Sequence, residues 1–130
     1  MRPRLFSVAA AILGLALALP AIAHHSGAQF DEKLAVVVTG TVVKFEWTNP
    51  HAQLYITATG DNGKVVDWQF ELPSPNTLMR RGWTRNALKI GETVTVKGSR
   101  ARTGDHSAFA ASVKDENGRK LFSGNATNAG

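Results

Sequence analysis

The chain has 130 residues and a net charge of +5, with fifteen basic against ten acidic side chains and no cysteine. The lack of thiols excludes disulfide stapling, thiolate metal sites and cysteine catalysis, and so modest a charge lacks the dense basic patch of a nucleic-acid surface. This length supports one domain around one hydrophobic core.

The first element in chain order is a leader. Arg2 and Arg4 precede an apolar run over residues 5–19, followed by Pro20 and Ala21-Ile22-Ala23. A basic start, an apolar stretch and an Ala-x-Ala site in that order predict an export signal over 1–23, cut after Ala23. A cut after Ala18 also satisfies Ala-x-Ala but leaves Pro20 close behind the scissile bond. An uncleaved anchor is disfavoured, because a bilayer span takes about 20 residues. Removing the leader leaves 107 residues with thirteen basic and ten acidic side chains. The expected location is periplasmic, with no membrane anchor after cleavage. Residues 24–122 then form a single domain, and 123–130 a small, polar, flexible tail. Cleavage makes His24 the first residue, so a free α-amine sits on a histidine with His25 beside it.

The remaining elements read as β-rich. Residues 34–47 are dominated by Val, Thr, Phe and Trp, and Gly40 in their middle suggests a bend or bulge. Residues 52–59 alternate, with Ala52, Leu54, Ile56 and Ala58 on one side. Gly60-Asp61-Asn62-Gly63 supplies an Asn-Gly hairpin signal. The strand over 65–72 sets Val66, Trp68, Phe70 and Leu72 on one face and Asp67, Gln69 and Glu71 on the other. Ser74 as N-cap and Pro75 at the first helical position predict a short helix over 75–81, ended by Gly82. Strands follow over 93–98, 107–114 and 119–122, with a loop at 99–105 and a tight turn at Asn117-Gly118. Three strands, a helix, then further strands is the order of a small OB-like β-barrel, with one short helix between the third and fourth strands. An open β-sandwich or β-roll is the competing architecture.

Chemistry-bearing residues are few: His24, His25, His51 and His106 are the only histidines. No nucleophile triad, phosphate loop or paired zinc motif occurs, so hydrolysis has no specific support. An N-terminal His24 can offer its α-amine and a ring nitrogen to one ion, and a third nitrogen from His51 would complete a T-shaped set suited to copper. Pro50 stiffens the bend that carries His51. His25 is an alternate ligand or a neighbour of the site, and Glu71 and Trp47 are candidate outer neighbours. The plainer readings are a frayed terminus for His24 and His25, a turn residue at His51, and a lone loop histidine at His106. Asp67 and Glu71, four apart on one strand face, read as surface rather than as a catalytic pair. Trp47 and Trp68 read as core. Trp83, beside Arg80, Arg81 and Arg85, either caps the barrel end or forms a cationic, aromatic corner for an anionic glycan or headgroup.

Ala23-His24-His25-Ser26, Phe30-Asp31, Gly40-Thr41-Val42, Trp47-Thr48-Asn49-Pro50-His51, Trp68 with Glu71, Gly82-Trp83, Leu88-Lys89-Ile90-Gly91 and Val94-Thr95-Val96 resemble a family of exported bacterial proteins of unknown function. The Trp-x-Asn-Pro-His element is its most specific part. The resemblance implies export, a small β-barrel and a pairing of the leading histidines with His51; it implies no activity. The leading expectation is therefore an exported barrel that binds copper, or another divalent metal, in metal handling. A non-metal binding module for a periplasmic protein or an envelope glycan is the alternative. An oxidative copper enzyme ranks lowest, since no substrate surface is legible.

Overall fold

The computed structural model describes residues 29–123. The expected leader, His24, His25 and the tail beyond Ser123 lie outside them. Six strands form one sheet: β1 Phe30–Glu46, β2 Gln53–Thr59, β3 Val65–Glu71, β4 Thr93–Ala101, β5 Ser107–Asp115 and β6 Lys120–Ser123, with helix α1 Pro75–Arg80 between β3 and β4. The sheet order is β3-β2-β1-β4-β5-β6, and a parallel pairing of β3 with β5 closes the first five strands into a ring. The fold is mainly β, an OB-like barrel with its helix where that topology requires one.

Closure depends on β1 serving two neighbours. Its first part pairs with β4, from Phe30↔Ala101 to Thr41↔Thr93, and its last part pairs with β2, from Thr41↔Thr57 to Glu46↔Gln53. Gly40 sits at the crossover, where a Cβ would lie 2.5 Å from the Thr57 carbonyl oxygen. Close backbone approach is thus what excludes a side chain there. The register shifts fall elsewhere in β1, between Asp31 and Ala35 and between Val42 and Lys44.

Strand alternation builds the core. Val42, Leu54, Ile56, Phe70, Leu72, Val94, Val96 and Val113 point inward and are fully buried or nearly so. Each such side chain contributes about 1.5–3 kcal/mol on burial. Helix α1 starts as its sequence predicts: the Ser74 hydroxyl accepts the Thr77 N–H at 3.3 Å, and Leu78 is buried against the barrel. Trp83 is also buried, 5% exposed, and packs edge-on to Phe45, while Arg80, Arg81 and Arg85 are exposed. It caps the core. The two Asn-Gly turns differ from the two-residue type I′ form, which needs positive φ at both central residues. In these turns Gly63 and Gly118 are left-handed while the asparagines before them are not, and Gly63 N–H donates to the Gly60 carbonyl and Gly118 N–H to the Asp115 carbonyl.

Candidate metal centre

The site forms where the β2–β3 hairpin register ends. Gln53 lies opposite Glu71, and Leu72 N–H donates to the Ala52 carbonyl at 2.9 Å, adding one rung to the ladder. His51 therefore emerges beside the outward face of β3, just after the cis Asn49–Pro50 peptide. Its Nδ1 is in direct contact with Glu71 Oε1. Both side chains are mostly buried, 13% and 16% exposed, although Glu71 belongs to the polar face of its strand. Glu71 is flanked on its other side by Phe109 of β5.

Aromatic rings carry the site toward the start of β1. The His51 ring meets Phe109 edge-on at 6.1 Å, and Phe109 meets Phe30 at 5.9 Å. His51 and Phe30 are therefore no more than about 12 Å apart, ring centre to ring centre. Phe30, Ala101 and Phe109 form their own small apolar cluster, and Arg102 N–H donates to the Gln29 carbonyl at 2.9 Å. The chain that leads to His24 and His25 thus enters the described structure close to His51.

The electrostatics favour one tautomer. A carboxylate against Nδ1 holds a proton there, so the neutral ring carries its coordinating lone pair on Nε2. This is the usual support of a histidine ligand. Among the described residues no group of three or more His, Asp and Glu side chains gathers. The described residues hold one imidazole against one carboxylate at this place.

His106 lies elsewhere. Its ring meets Trp68 at 5.1 Å, its carbonyl accepts Gln69 N–H, and the Arg100 guanidinium lies 5.4 Å from the Trp68 ring centre. Trp68 is half-buried and stacks on Phe70, at the edge of the core rather than within it. Trp47 packs on Phe45, 6.0 Å away. On the outer face, Lys44 pairs with Glu46, and the Tyr55 hydroxyl donates to Glu46 at 3.1 Å. Lys44 holds the Glu46 carboxyl below its ordinary value, while burial, then the bond to Glu46, pushes the Tyr55 phenol up. Sequence reasoning did not find Phe109 and Phe30 as neighbours of His51. Glu71, named from the sequence as an outer neighbour, does lie against His51, and the register of the Asn-Gly hairpin gives the reason.

A family model described as a family of unknown function, DUF6152, matches residues 13–110. Comparison with the curated proteins yields no match. Among solved structures, the mitochondrial single-stranded DNA binding protein Rim1 of S. cerevisiae is similar at 13% identity and a TM-score of 0.47, covering 73% of this chain and 98% of that one. The small single-stranded DNA-binding protein of Streptomyces coelicolor is 15% identical with a TM-score of 0.42, covering 63% and 90%.

Proposed function

The chain belongs to this family of unknown function, and we propose that it is an exported, periplasmic barrel that binds copper, or another divalent metal, for metal handling. His24 would supply its α-amine and a ring nitrogen, His51 a third nitrogen, and His25 an alternate ligand or a neighbour. The observation that carries this reading is the contact of His51 Nδ1 with Glu71 in a mostly buried setting. Metal-bound histidines almost always hand their other ring N–H to such a partner. Reach supports it as well: the stretch from His24 to Phe30 extends to about 20 Å, beyond the limit set on the Phe30–His51 separation. A nitrogen set of this kind favours Cu(II) among the common divalent ions.

The test is Cu(II) titration of the processed protein with EPR detection, beside His51→Ala and a form carrying one extra N-terminal residue. A single tight site with nitrogen hyperfine structure, altered in both variants, is expected. Binding indifferent to His51→Ala would reduce the site to a terminal chelate, and no tight binding would refute the reading.

A further inference from the structure

The connection from α1 to β4 covers one end of the barrel and is held from below. Leu78, Trp83 and Leu88, five residues apart, are buried in the main core. Between and beyond them the chain turns outward, and Met79, Arg80, Arg81, Arg85, Lys89 and Ile90 are exposed. This surface is one-sided in charge. Residues 73–91 hold four basic side chains and no acidic one, whereas the rest of the chain after Ala23 holds nine basic and ten acidic. The excess positive charge of the processed chain therefore sits on this one connection. The same surface carries exposed apolar side chains: Ile90 is 77% exposed, the most of any large apolar side chain among the described residues, and Met79 is 52%. The Arg80 guanidinium donates to a neutral partner, the Thr77 hydroxyl, at 3.2 Å. Acidic side chains border the surface at Ile90, where Glu92, Asp115 and Glu116 line a groove. Asp115 there is paired with Arg119, and Glu92 accepts the Lys89 main-chain N–H.

We propose that this face docks on a bilayer of anionic phospholipid, with Arg80, Arg81, Arg85 and Lys89 at the phosphates and Met79 and Ile90 in the headgroup–acyl boundary. Binding to a bilayer surface has two components, attraction of cations to anionic lipid and burial of apolar side chains at that boundary. The connection supplies both. A soluble polyanion uses the first and gains nothing from Met79 or Ile90, which is why the pairing of charge with exposed apolar groups selects a bilayer. Trp83 takes no part, because it is turned into the core. The docking stands apart from the metal reading and needs neither His24 nor His51.

Co-sedimentation of the processed protein with vesicles tests it. Binding is expected to vesicles of equal parts phosphatidylglycerol and phosphatidylcholine and not to phosphatidylcholine alone, and it is expected to fall as salt is raised. Arg80→Gln with Arg85→Gln is expected to weaken binding about 25-fold, at about fivefold per cation near the surface. Ile90→Ser keeps every charge and is expected to weaken it by up to about tenfold. Lys64→Gln, at an exposed cation of the β2–β3 hairpin, is expected to leave binding unchanged. Circular dichroism and the thermal midpoint of these variants are expected to match the parent, since the altered side chains are exposed. No binding, equal binding to both vesicles, or binding that survives the double substitution overturns the proposal. Loss in the double variant without loss in Ile90→Ser also overturns it, in favour of a soluble polyanion.

Discussion

Replacing Glu71 by glutamine keeps the shape of the His51 contact and removes its charge. A hydrogen bond to an ionised group contributes about 1.5–3 kcal/mol, against about 0.5–1.5 for a neutral pair. Both side chains are largely shielded, at 13% and 16% exposure, so solvent screening recovers little of the difference. The expected loss is about 1–1.5 kcal/mol, or about 5–10 °C in the melting midpoint of a domain this size. Thermal circular dichroism of the metal-free protein measures it. Cu(II) affinity, measured against a competing chelator, is expected to weaken about 10–100-fold, because the carboxylate sets the tautomer and basicity of the ring. A lowered midpoint with unchanged affinity would refute the metal role and leave the contact standing. An unchanged midpoint would refute the energetic reasoning itself.

Gly40→Ala forces a Cβ to 2.5 Å from the Thr57 carbonyl oxygen, and is expected to cost about 1–3 kcal/mol by overpacking; a raised thermal midpoint would refute it. Ser74→Ala removes the acceptor for Thr77 N–H and should lose about 1 kcal/mol in urea unfolding, with Ser74→Asp recovering most of it. Tyr55 is the only tyrosine, so ultraviolet titration reports it alone, and the midpoint is expected above 10.0, chiefly from burial and next from Glu46. The folded value being raised, the associated stability is present below pH 10.0 and lost as pH rises through the folded value. Glu46→Gln is expected to bring the midpoint down.

Local signals carried much of the fold into the sequence. Ala52 to Ala58 alternate because one face of β2 is core, and Ser74-Pro75 starts a helix because both residues suit its first turn. Long-range pairing was less legible. β1 begins at Phe30 rather than at 34, since Phe30 is held by Ala101 and Phe109, some seventy residues away in sequence. β4 runs on to Ala101 for the same reason, consuming the start of an expected loop. Trp68 read as core from its apolar row, yet the row leaves the interior where β3 separates from β5, whose pairing begins only at Gln69. Of the candidate site, His51 was legible from its turn. The burial of Glu71 was not, because alternation assigns a face and cannot say that His51 and Phe109 cover it.

The bond from Arg102 N–H to the Gln29 carbonyl fixes one end of a short tether. If His24 leads the processed chain, only four residues separate it from Gln29. On the proposed metal reading, capture of a second donor by a metal already on His51 would be an intramolecular event, at an effective concentration set by the number of intervening residues. A soluble chelator would have to match that local abundance as well as the bond strengths. Glycines inserted between Ser26 and Gln29 would dilute the amine without touching any ligand, roughly as the −3/2 power of tether length. On that reading the length of a stretch with no ligand of its own would tune how firmly a metal is kept or passed on.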